Sequence, residues 1–278
     1  MTNRQPQMVE RVVRQLRIDE TFVEPEWAEH VDIPLLELCF ASRMPQAPVV
    51  LMPELRFRTL LQKLVECFPR VGKVMIVDEA NSRFDSLRRS VPKTELNLYF
   101  SAQEVSALNY SNDIFHFVLT QVGLSTLLRL DIVLSAYRRV MRPDGHLVMS
   151  APLVGSFPVF FDILDECLLK LYPGERAEIM SELVESMEVS SIERRIGESG
   201  FEVEGRDTAI FELTFPNVEP LLFSTLVESH YLGVCLGLRR PDVDTRALLT
   251  LVVRSFHHYF QGESLRVPMK IALISASK

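Results

Sequence analysis

The sequence predicts an α/β protein built on a doubly wound, mostly parallel sheet with helices on both faces. Two observations predict it. Between Val49 and Met149, apolar runs of strand length alternate with stretches of helical periodicity, and a β-α-β alternation closes into a parallel sheet through right-handed crossovers. The unit Asp113–Pro152 holds a complete crossover. It carries a strand run (Ile114–Leu119), a helix with apolar positions at Ile132, Val133, Ala136, Tyr137, Val140 and Met141, and a second strand (His146–Met149). Arg142-Pro143 ends that helix and Asp144-Gly145 turns the chain, because proline cannot continue a helix and glycine tolerates a tight turn.

The remaining elements follow in order. Met8, Val9, Val12, Val13 and Leu16 give a short amphipathic helix over Met8–Ile18. Pro25, Pro34, Pro45 and Pro48 punctuate the next stretch, with a helical piece at Leu35–Ser42. Val49–Met52 is a strand and Glu54–Phe68 a helix, with Leu55, Leu60, Leu61, Leu64, Val65 and Phe68 at helical spacing. Lys73–Asp78 is a buried strand ending in an acid; Ser82–Ser90 follows as a helix and Glu95–Phe100 as a strand. Beyond Pro152 helices dominate: Phe157–Leu171, Glu175–Met187, Ser190–Ser199, Val218–Leu232 and Val243–Tyr259. A strand at Val267–Ser275 closes the stretch.

Composition narrows the function. The 278 residues are 47% hydrophobic and 24% charged, enough apolar content for a sizeable core. A net charge of -7 argues against a general nucleic-acid binder, which presents a basic face. Cys39, Cys67, Cys167 and Cys235 lie far apart without CxxC spacing. They read as buried thiols in a reducing compartment, with no disulfide framework and no metal site. The N-terminal stretch is polar and charged and no apolar run is long enough to span a bilayer, so a cytoplasmic protein without a membrane span is expected.

Phe115-His116-Phe117-Val118 and Arg139-Val140-Met141-Arg142-Pro143-Asp144-Gly145, at their spacing, resemble the class I S-adenosylmethionine (SAM) dependent methyltransferases of the broad type 11 group. The resemblance is close over Val49–Pro152 and holds in outline beyond, where Gly200-Phe201-Glu202-Val203 is similar to the family's helix-end GF followed by a late strand. It implies a Rossmann-like seven-stranded sheet whose final strand enters antiparallel. It also implies residues 1–48 as an N-terminal cap, 49–278 as the α/β domain, and a helical insertion at about 157–199.

In the family, the loop after the first strand carries glycines at alternate positions behind an acid, so that backbone can approach SAM. The matching positions here are Leu51, Pro53, Leu55 and Phe57, and the first glycine in the chain is Gly72. A second register, with Lys73–Asp78 as the first strand, places Asp78, Ala80 and Ser82 there instead. The first register is preferred, because Val74–Pro92 then matches the second family motif. Asp78 falls where the family's acid holds the ribose hydroxyls, and Glu104 where an Asp accepts from the adenine amino group. Read from the residues alone, Asp78 caps the following helix and Glu104 is a solvated acid at a helix start.

Other chemistry has little to build on. His116 replaces the family's Asp after Phe, and a lone histidine beside a strand reads as packed and hydrogen-bonded. His257 and His258 diverge by about 100° on a helix and would not share a metal. Asp162, Asp165 and Glu166 read as the solvated face of an amphipathic helix. GxSxG, Walker and HExxH motifs are absent. The resemblance leaves two functions: a family member degenerate in SAM binding that acts without catalysis by binding a protein or small-molecule partner, or an active SAM-dependent methyltransferase of unknown acceptor with an atypical, glycine-free loop.

Overall fold

The computed structural model describes residues 24–41, 45, 47–54, 58–67, 72–79, 84, 87–88, 97–224, 226–238 and 243–278. Seven strands form one sheet: β1 (Val49–Pro53), β2 (Lys73–Asp78), β3 (Asn97–Ala102), β4 (Phe115–Gln121), β5 (Met141–Pro152), β6 (Glu202–Phe215) and β7 (Leu265–Ser277). Their spatial order is β3-β2-β1-β4-β5-β7-β6. β1 to β5 run parallel, and β7 pairs antiparallel with both β5 and β6. The preferred register is thereby the observed one. Val49–Pro53, and not Lys73–Asp78, is the strand beside β4.

The central strands are continuous apolar runs because both of their faces are covered. Leu51, Met52, Val118, Leu147 and Val148 are fully or almost fully buried. The chain opens on α1 (Glu24–Trp27), a π-helical turn (Ala28–Asp32) and α2 (Ile33–Ala41), which pack on β5, β6 and β7. This segment starts earlier than the Leu35–Ser42 expectation. Pro34 does not stop it, because the π turn widens the helix just ahead of the proline and Ile33 N donates to Ala28 O. The expected Met8–Ile18 helix lies outside the described residues.

α3 (Arg58–Cys67) follows β1, starting after the expected Glu54. The Ser82–Ser90 helix falls mostly outside the described residues, although Phe84 and Leu87 are buried. α4 (Leu124–Leu127) and α5 (Leu130–Val140) make the crossover between β4 and β5. α5 buries Leu130, Val133, Leu134, Ala136, Tyr137 and Val140, while Ile132, expected on the apolar face, is 57% exposed. Arg139 ties this crossover to the loop before β4, donating to Tyr110 O at 2.7 Å, to Asn112 Oδ1 at 3.1 Å and to Leu108 O. Met141 is already extended, so β5 begins before the Arg142–Gly145 segment expected as a turn, and its pairing with β4 is irregular there.

α6 (Pro158–Leu171), α7 (Arg176–Ser186) and α8 (Val189–Glu198) fill the stretch before β6. Two of the acids of α6 are partnered, while Asp162 is exposed as expected. Arg176 grips Asp165 through two bonds of 2.7 and 2.6 Å, and Tyr259 OH donates to Glu166 at 2.7 Å. The expected Val218–Leu232 helix is broken. α9 (Val218–Leu222) is followed by a π turn (Val227–Leu232) and α10 (Gly233–Gly237). α11 (Thr245–Tyr259) is capped by Asp244, whose carboxylate accepts from Arg246 N and Ala247 N. Phe157, Phe160, Tyr231 and Phe256 interlock between these helices with ring centroids 5.1–6.4 Å apart.

Three of the cysteines behave as buried hydrophobes. Burial pushes the thiols of Cys39 and Cys235 up to about 12 and raises that of Cys167.

Candidate functional site

In an open α/β sheet the ligand crevice lies beyond the carboxyl ends of the strands, where the strand order reverses. Here that point is between β1 and β4, whose last residues are Pro53 and Gln121.

This edge is crossed by hydrogen bonds between buried side chains. Gln121 Nε2 donates to Asp32 Oδ1 at 2.6 Å, and the Thr59 hydroxyl donates to Asp32 Oδ2. Asp32 is fully buried, and the π turn carries it into place. Beside it, Thr126 Oγ1 donates to Glu54 Oε2 at 2.7 Å, and Thr120 Oγ1 to Pro53 O at 3.3 Å. Glu54 is buried with φ 51°, a left-handed conformation that favours glycine, and its N–H is spent on Val77 O at 2.8 Å. Residues 55–57, which hold Leu55 and Phe57, lie outside the described residues.

Asp78 and Glu104 lie at the carboxyl edge of neighbouring strands. Asp78 is the half-buried last residue of β2, level with Ala102 of β3, and its carbonyl accepts from Gln103 N at 3.1 Å. Glu104 follows two residues after β3 and accepts from Ser106 Oγ. Arg129, at the start of α5, reaches Glu104 Oε1 at 3.4 Å and Glu79 Oε1 at 3.3 Å. Its guanidinium thus stands between acids from the β2 and β3 ends. Nearby, a groove of about 530 Å³ runs between Ser106–Leu108 and the α5 residues Ile132, Ser135 and Arg139.

The sequence points to Asp78 and Glu104 but does not single out Asp32, Glu54, Gln121, Thr126 and Arg129, which the fold brings to the same edge. Two signals were present: the apolar run of β4 ends in Thr120-Gln121, and Pro53-Glu54 stands where a flexible small residue is needed. His116 takes its packed role. Its Nδ1 accepts from Val49 N at 3.1 Å, and burial, then the nearby Arg142 charge, hold its pKa below the ordinary 6.5. Among the described residues no three His, Cys, Asp or Glu side chains gather as metal ligands. Nor is any described helix long and apolar enough to cross a membrane.

No protein-family model matches the chain, and no curated protein matches it significantly. Solved structures do. A protein assigned as a methyltransferase from Bacillus halodurans C-125 superposes with TM-score 0.52 at 14% identity, over 88% of this chain and 98% of its own. The chain has the class I methyltransferase fold. Loganic acid methyltransferase with SAH matches with TM-score 0.51 at 14% identity, over 99% of this chain and 92% of its own. The [4+2]-cyclase SpnF matches with TM-score 0.53 at 12% identity, over 98% and 94%. A class I methyltransferase fold is therefore found on a protein named for cyclisation as well as on methyltransferases, and the site must decide what this one does.

Proposed function

We propose that this chain is a methyltransferase-fold protein that no longer binds SAM efficiently and acts by binding a protein or small-molecule partner without catalysis. The observation that carries the reading is the bracing across the ends of β1 and β4, where Asp32 holds Gln121 and Thr59 while Glu54 holds Thr126. Three features of this edge support weak SAM binding. Pro53 offers no N–H, the Glu54 N–H is already used, and the Glu54 and Asp32 carboxylates are buried in hydrogen bonds at the ends of β1 and β4.

Magnitudes separate the two parts of the site. The Arg129 contacts to Glu79 and Glu104 are partly exposed ion pairs, worth about 0–1 kcal/mol each, and a ligand could displace them. Opening the buried bonds would strand Asp32, Gln121 and Thr126, at about 1–3 kcal/mol per unsatisfied group. The buried bonds favour the first reading.

A second reading rests on one observation. Asp78 ends β2 level with Ala102 of β3, and Glu104 follows two residues beyond that neighbouring strand end, so both acids stand at the edge where an adenosine would be gripped. In that reading the protein is an active SAM-dependent methyltransferase of unknown acceptor that holds the cofactor mainly by those two acids.

Thermal unfolding with SAM or SAH in millimolar excess tests the choice. A ligand present at 100 times its Kd adds about 2.7 kcal/mol to native stability and moves Tm by several degrees. The proposal expects no movement with either compound, and a clear rise would favour the second reading.

A further inference from the structure

Strand β6 forms one edge of the sheet. It pairs with β7 on one side. Between Arg206 and Glu212, among the described residues, the one hydrogen bond reaching its outer backbone comes from its own side chain. Asp207 Oδ1 accepts from Thr208 N at 2.7 Å. Because backbone groups of alternate residues turn to the same side of an antiparallel strand, that bond identifies Arg206, Thr208, Ile210 and Glu212 as the outward set. Ile210 is 73% exposed, more than any other large apolar side chain described.

We propose that β6 pairs antiparallel with β6 of a second copy of this chain, about a twofold axis through Ala209, so that the sheet continues across a dimer. The stretch Arg206-Asp207-Thr208-Ala209-Ile210-Phe211-Glu212 is self-complementary in this register. Each Arg206 lies opposite the partner copy's Glu212, and each Thr208 lies opposite its Ile210. Outward residues meet outward residues, as ladder hydrogen bonds require, and the pairing keeps each side chain on its own face of the sheet. The two Ile210 side chains become diagonal neighbours and cover each other. Ala209 meets its own copy at the close, non-hydrogen-bonded position, where a small side chain fits.

Sliding the register by two residues loses both Arg–Glu pairs, and in one direction brings Glu204 toward Glu212. Charge is the usual protection of a free strand edge, but here the charges alternate in an order that attracts a second copy. The present contacts compete weakly. Arg206 meets Glu193 at 3.0 Å on the surface, and Glu212 reaches Arg266 only at 3.9 Å.

Light scattering on the purified full chain, over a range of concentrations, tests the interface. The proposal expects twice the chain mass, falling to the monomer on dilution. Ile210→Lys and Glu212→Arg should each raise the dimer dissociation constant about tenfold or more, with circular dichroism confirming that they fold. The double variant Arg206→Glu, Glu212→Arg restores opposite charges across the axis and should recover the dimer. A wild-type chain that stays monomeric when concentrated would overturn the proposal. So would a dimer indifferent to both single variants, or one that the double variant fails to recover.

Discussion

Glu54 concentrates two opposing effects in one residue. Its left-handed φ of 51° is unfavourable for any side chain with a Cβ, while its carboxylate accepts the buried Thr126 hydroxyl. Glu54→Ala keeps the strain and strands Thr126, so chemical denaturation should report a loss of about 1–3 kcal/mol. Glu54→Gly also strands Thr126 but relaxes the backbone, and should recover about 1 kcal/mol of that loss. Equal losses in the two variants would mean that the backbone there is unstrained.

His116 gives the acid side of the stability profile. Its pKa is lowered in the fold, so at mildly acidic pH the unfolded chain binds more protons than the native one, and stability falls as pH drops below 6.5. Protonation also removes the acceptor for Val49 N. In urea titrations the wild type should lose stability between pH 7 and pH 5, and His116→Phe should lose part of that slope. An unchanged slope would place the titration elsewhere.

Among the elements, α8 is tied to the crossover by one arginine. Arg195 donates to both Asp131 oxygens at 2.7 and 3.0 Å and to Leu127 O at 2.6 Å, linking α8 to α5 and α4. The same guanidinium holds the Asp131 carboxyl below the usual carboxylate range. Arg195→Met keeps the aliphatic stem but leaves Leu127 O without that donor, and should cost about 1–3 kcal/mol by urea unfolding. A change under a few tenths would mean that water replaces the guanidinium.

The elements that sequence periodicity located well are those whose side chains report burial directly. β2 matches Lys73–Asp78 to the residue, and α6 to α8 fall within a residue of expectation. Those it located poorly are governed by tertiary context. β6 runs 14 residues although only its start was legible, because Glu204, Arg206, Asp207 and Glu212 occupy an exposed edge where charge is tolerated. The π turn at Ala28–Asp32 was hidden behind Pro34, whose effect on a helix depends on whether the turn before it can widen.

At the scale of the whole molecule, the family-like blocks carried the topology because they are architectural. Arg139 pins the loop before β4, and Gly145 sits where an added Cβ would lie only 3.0 Å from Arg142 O. The candidate site was legible in half. Asp78 and Glu104 could be placed because they follow strands of clear pattern. Asp32 and Gln121 are 89 positions apart in sequence, and only the folded sheet brings them into contact. Together with Glu54 and Thr126, this contact braces the edge that the proposed loss of SAM binding rests on.

Calorimetric titration of SAH into the wild type and Asp78→Ala tests that claim most directly. Neither protein should give binding heat, even at millimolar ligand. Micromolar binding by the wild type that Asp78→Ala abolishes would contradict it and show a working cofactor site, as the second reading requires.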